Sequence, residues 1–189
     1  MRFKIERRHL DAMDQGVLYD LLAEPIGRHF HFPKSGQTSY SANRNLSRPQ
    51  VNVFIIGDAA AEVLNGGLLQ LILNSSGAYL ADLPGAFSEI ARSTESKIMD
   101  KVCAMFPPAV DTRSRAKRAK YATTKIVPGG FDALSRGVQT GLERQLDKLE
   151  DRLTVLMQSR AFYKSIAAYV CSKSRSFDVM NVASARTSR

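Results

Sequence analysis

The chain has 189 residues, 44% of them hydrophobic, and a formal net charge of +9. That is enough for one domain with a real core plus modest extensions. No run of about 18 apolar residues occurs, which argues against a transmembrane helix. Residues 1–8 are charged throughout, which argues against a secretory signal.

His9 to Ala23 reads as a first amphipathic helix, with Met13, Val17, Leu18, Leu21 and Leu22 at helical spacing and Glu24-Pro25 ending the pattern. Lys34 to Pro49 is polar and aperiodic and reads as a long loop or linker. Val51 to Leu64 reads as a buried helix. The β-branched cluster at residues 51–56 leaves a strand as its alternative, but the apolar character continues past Gly57. Leu68 to Leu73 is apolar on nearly all sides, which predicts central burial. Pro84 suits the first turn of a short helix from Leu83 to Ala91. Ser93 is the expected N-cap of the next helix, which Pro107-Pro108 stops.

Ala109 to Gly130 reads as a second irregular stretch, a long basic loop. Asp132 to Gln158 reads as a long helix with a heptad-like seam of Val138, Leu142, Leu146, Leu149, Leu153 and Leu156. The seam suits the domain core or a dimer equally well, so the oligomeric state stays open. Ala161 to Cys171 is the last expected helix, and Ser172 to Arg189 reads as a disordered tail. The expected fold is all-α, a single compact multi-helix domain. Residues 1–50 form an N-terminal helix and polar linker, 51–171 the helical domain, and 172–189 the tail. Cys103 and Cys171 sit in apolar helical settings and read as reduced thiols of a cytoplasmic protein.

The charge is uneven. Residues 54–106 carry three cations against six carboxylates, whereas residues 107–131 carry six cations against one. A basic total favours acidic partners without choosing among them.

One ordered run stands out: Asn65-Gly66-Gly67, then Gln70, then Asn74-Ser75-Ser76-Gly77. Ala86, Ile90-Ala91 and Phe106-Pro107 follow it. This order, from Phe54 to Val170, resembles a bacterial domain family named after the C-terminal domain of a DNA mimic protein. Leu68, Leu71 and Ile72 stand where that family has aromatics, and Ala91 stands where it has glycine. The resemblance implies a helical domain, largely of unknown function. The family's namesake presents an acidic, DNA-like surface to DNA-binding proteins. A chain at +9 cannot offer a broadly acidic surface, so that role does not carry over.

The Asn65–Gly77 run has two readings. Glycines let backbone N–H groups approach a ligand, but no Lys-Ser/Thr follows as in a phosphate loop. The favoured reading is a structural junction, in which Asn65 caps the next helix, Gln70 latches onto a helix end, and Asn74 and Gly77 close that helix.

His29 and His31 lack acidic or thiol neighbours at ligand spacing, so no metal is expected. No Gly-x-Ser-x-Gly elbow occurs, and no carboxylate pair stands out from ordinary helix-surface charge. No catalytic residue and no cofactor are assigned.

The expectation is therefore a non-catalytic, cytoplasmic, protein-binding module with no membrane contact. The first alternative is nucleic-acid or acidic-partner binding through Arg113, Arg115, Lys117, Arg118, Lys120, Tyr121 and Lys125. The second is a hydrolase-type enzyme with its site at the Asn65–Gly77 turn.

Overall fold

The computed structural model describes residues 2–131 and 140–180. Its elements are built around one long helix, α5 (Arg48–Leu73), which packs against helices from both halves of the chain. Those neighbours explain why α5 is apolar on nearly every side. Val51, Ile55, Ile56, Leu68, Leu71 and Ile72 are all buried, and residues 51–56 are helical rather than extended. By length and composition alone α5 could cross a bilayer, but here it is the central core helix.

The first helical stretch is more broken than its periodicity predicts. It contains α1 (Arg7–Asp11), α2 (Gln15–Leu18) and α3 (Glu24–Gly27). Asp14 starts α2 by accepting the Val17 N–H at 2.9 Å. Pro25 does not end the helix. A wide π-type turn over Tyr19–Ala23, closed by Glu24 N–H to the Tyr19 carbonyl, precedes it. Such a turn absorbs the bond that a proline nitrogen cannot make.

The polar stretch 34–49 is packed rather than a free linker. It contains α4 (Ser39–Ala42), and Ser39 and Asn43 are fully buried. Asn43 accepts from His31 N–H at 2.6 Å and donates to the His31 and Ser39 carbonyls. One buried amide thus serves three backbone groups.

After α5 comes a 3-10 segment, Ser75–Asp82, running into α6 (Leu83–Glu89) with Pro84 in its first turn. Ala91 follows α6 in the left-handed region, with φ of +61°. Ala91 N–H reaches the Ser88 carbonyl and Arg92 N–H reaches the Phe87 carbonyl, which is a Schellman ending. In α7 (Ser93–Ala104), Ser93 is the first helical residue and not the cap. No side chain caps this helix, and Arg92 and buried Glu95 instead pair across its first turn.

The stretch expected to be a basic loop holds α8 (Arg115–Tyr121) and a second π-type turn, Ala122–Ile126. The expected helix from Asp132 falls partly outside the described residues, Val138 included. The observed helix, α9, spans Gly141–Met157 and is capped by Thr140 and Glu143. Leu146, Leu149, Leu153 and Met157 face the core, so the leucine seam is part of the domain interior. In α10 (Arg160–Ser172), Phe162, Ile166 and Val170 are buried.

The chain then continues into a short strand. Strand β2 (Phe177–Met180) pairs in parallel with β1 (Phe3–Glu6), Phe3 opposite Phe177. Phe177 is 1% exposed. One buried aromatic in a Ser/Arg-rich sequence thus anchors residues that composition assigns to a tail. Among the described residues this two-stranded sheet accompanies an otherwise all-α fold.

Candidate functional site: an acidic cleft in front of the glycine kink

The Asn65–Gly77 run sits at a kink in α5. Gly66 has φ −158° and Gly67 has φ +77°, so the helix stops and restarts at Leu68. The new first turn needs a cap. Asn65 was expected to supply it. Instead the Glu150 carboxylate of α9 accepts the Leu68 N–H at 2.6 Å. Burial raises the Glu150 pKa, and the Leu68 bond opposes that shift. A Cβ at Gly67 would collide with the Glu150 carboxylate, and one at Gly66 would collide with the Gln70 side chain. Both glycines therefore make room for specific polar groups.

The far end of the run is closed by arginine. The fully buried Arg118 donates to the Ile72 carbonyl at 2.5 Å, to the Asn74 carbonyl at 2.6 Å, and to the Thr112 carbonyl. Arg115 adds a bond to the Leu73 carbonyl at 3.0 Å. The Ile72, Leu73 and Asn74 carbonyls are those that the end of α5 leaves without helical partners, at the negative end of its dipole. Burial, then the neighbouring Arg115 charge, pull the Arg118 pKa down to about 10, so it is still a cation at neutral pH. A Cβ at Gly77 would strike the Arg118 guanidinium and the Ile72 carbonyl oxygen.

The side chains of the run converge on two carboxylates that sequence reading passed over. Gln70 Nε2 donates to Glu62 at 2.7 Å, and Asn74 Nδ2 donates to the same oxygen at 2.9 Å. Ser76 Oγ lies 2.8 Å from Glu62 and 2.7 Å from Asp58. Its one hydrogen can serve only one carboxylate at a time. Tyr79 donates to Asp58, and burial, reinforced by the Asp58 charge, raises the Tyr79 pKa well above its ordinary value. Gln70 therefore latches to Glu62 and not to a helix end. Ser75 is exposed and does not join the cluster.

Asp58, Ala61, Glu62 and Asn65 share one face of α5 at helical spacing. They form one wall of an open cleft of about 600 Å³, and Gln15, Gly16, Tyr19 and Asp20 form the other. Tyr19 is 41% exposed, and Leu21 is exposed nearby in the same turn. None of Asp20, Asp58 or Glu62 pairs with a cation among the described residues. Among the described residues no three His, Cys, Asp or Glu side chains are grouped to hold a metal ion. The available sequence signal was Asp58 and Glu62, four residues apart in an otherwise apolar helix. Nothing in the sequence placed Gln15, Tyr19 and Asp20 opposite them.

The basic cluster divides into two groups. Arg113 makes a bidentate pair with buried Asp82, at 2.7 and 3.0 Å, and reaches the Ala78 carbonyl. Burial alone would raise the Asp82 carboxyl. Arg113 and the two Ser39 donors outweigh burial and hold it below its ordinary value. Tyr121 packs half-buried on Phe106, ring centres 5.6 Å apart. Lys117, Lys120 and Lys125 are exposed.

Comparison with known proteins finds no match among curated proteins and none among solved structures. The model of the DMP19-like protein family matches residues 44–173. That span holds the kink, both carboxylates of α5, their donors and the arginine cap, and it is more than half of the chain. The chain belongs to the DMP19-like protein family.

Proposed function

We propose that the chain is a non-catalytic protein-binding module that docks its partner at the acidic cleft. The observation that carries this reading is the support behind the cleft. Gln70, Asn74, Ser76 and Tyr79 hold Asp58 and Glu62 along its wall, while exposed Tyr19 lines the facing side. Orientation fixed by hydrogen bonds lowers the ordering cost of binding, and an exposed aromatic beside fixed charge suits a basic side chain on an apolar stem. The acidic surface is local, which accords with a chain whose total charge excludes broad DNA mimicry.

The test is capture from cell extract by immobilised wild type and by Asp20→Lys combined with Tyr19→Ala, each with and without nuclease. The expected result is a polypeptide retained after nuclease and lost in the variant. Retention that disappears with nuclease would replace this reading with nucleic-acid binding, for which exposed Lys117, Lys120 and Lys125 remain available.

A second reading draws on the same geometry. Asp58 and Glu62 line an open polar cleft and share the buried Ser76 hydroxyl behind its wall, and paired carboxylates on a cleft are an arrangement that hydrolytic acid-base chemistry also uses. A reproducible hydrolytic turnover abolished by Glu62→Gln would establish it in place of the first.

A further inference from the structure

A second recess lies away from the acidic cleft and is opposite in character. Pro49, in the first turn of α5, and the turn Ser172–Ser176 line about 360 Å³. Every lining side chain other than proline is a cation or a hydroxyl, and no carboxylate lines it. The nearest acid in sequence, Asp178, sits opposite Lys4 in the parallel strand register.

The hydrogen bonds leave donors without acceptors here. Ser176 is 5% exposed, and its hydroxyl is bonded to Ser47 Oγ at 2.8 Å. Either serine can supply the hydrogen of that contact, and Ser176 Oγ keeps capacity for one further partner. The Ser176 carbonyl is satisfied by Gln50 Nε2 at 2.9 Å and by Phe3 N–H, so the acceptor side of this turn is taken. The backbone N–H groups of Ser174 and Arg175 make no hydrogen bond among the described residues. The exposed Arg175 guanidinium has no ion pair or hydrogen bond among them either. Lys173 rests over the Tyr169 ring at 5.2 Å, a contact that leaves its ammonium donors free.

The geometry points to a binding site for a tetrahedral oxyanion of the phosphate class, held by Lys173, Arg175, the Ser176 hydroxyl and the turn amides. Two cations supply the charge, and the buried hydroxyl with successive N–H groups supplies directional donors. The packing of Phe177 and the Ser47–Ser176 bond pre-position the turn. This site is separate from the acidic cleft, and its test is independent of the proposed docking there.

The experiment is an amide NMR titration of the full chain with inorganic phosphate, with chloride at matched ionic strength as the control and O-phosphoserine as a second arm. Saturable shifts are expected at Ser174, Arg175, Ser176 and Phe177 with phosphate and not with chloride. The double variant Lys173→Gln, Arg175→Gln should weaken binding about tenfold or more, since each charged bond lost is a large fraction of a weak affinity. Ser176→Ala should weaken it about threefold. Both cation positions are at least partly solvent-accessible, so the double variant should stay folded even if Ser176→Ala disturbs β2. Tighter binding of phosphoserine would identify the ligand as a phosphate monoester, and tighter binding of inorganic phosphate would identify the free ion. Shifts that do not saturate, that chloride reproduces, or that persist undiminished in the double variant would overturn the proposal.

Discussion

Replacing Ala91 with glycine should stabilise the protein. Ala91 ends α6 with φ of +61° and is exposed, so it loses no packing on truncation. An L-residue in the left-handed region costs about 1–2 kcal/mol. Glycine removes that cost but gives the unfolded chain more freedom, an offset of about 0.4–1 kcal/mol. The net gain is about 0.5–1 kcal/mol, or roughly 1–4 °C in Tm for a chain of this size. The two Schellman bonds involve only backbone and survive the change. Scanning calorimetry at neutral pH measures it, with Ala91→Val as the opposite control, because a branched side chain fits this region worst. Ala91→Asn should fall between, since asparagine tolerates the region better than alanine. A Tm for Ala91→Gly equal to or below wild type would refute the reasoning and indicate that Ala91 bears no strain.

Three further outcomes test the kink and its supports. Arg118→Lys should destabilise by about 2–4 kcal/mol, because one ammonium cannot reproduce a guanidinium fork that reaches three carbonyls; urea unfolding reads it. Glu62→Ala should cost about 2–3 kcal/mol by leaving the Gln70 and Asn74 donors short of an acceptor, while Ser76 keeps Asp58, and an unchanged midpoint would show that water replaces the carboxylate. Asp82 is held below its ordinary pKa, so its stabilisation is complete above about pH 4 and is lost as pH falls through the lower folded value. Asp82→Asn should therefore be less stable at pH 7 and should lose less stability than wild type between about pH 4 and 2.

How much of this was legible beforehand depends on the range of the interaction. The core helices were readable because their signals are local: the apolar run of α5, Pro84 in the first turn of α6, and the leucine seam of α9 each act within a few residues. The Asn65–Gly77 run was readable as a break in the apolar helix, because glycines beside asparagine interrupt helical backbone. What each member of that run does was not readable. Glu150 caps a helix 82 residues earlier in the chain, and Arg118 caps the end of the same helix from 46 residues later. Residues 34–49 and 172–180 carry few apolar groups, so composition assigned them to a linker and a tail. Buried Asn43 and Phe177 hold them in place through contacts that no local pattern announces.

The sequence by itself determined an all-α domain with a broken central helix and its membership of a family, since periodicity, turn chemistry and an ordered motif are properties of neighbouring residues. Only the tertiary structure decided where charge is available. It turned Arg113 and Arg118 inward, because a helix end and a buried carboxylate needed donors more than the surface needed cations. It also placed Asp58 and Glu62 on a cleft with the motif behind them, because the kink at Gly66-Gly67 turns Gln70, Asn74 and Ser76 back toward one face of α5. Net charge is fixed by composition. Which charges face a partner depends on the buried groups that each must satisfy first.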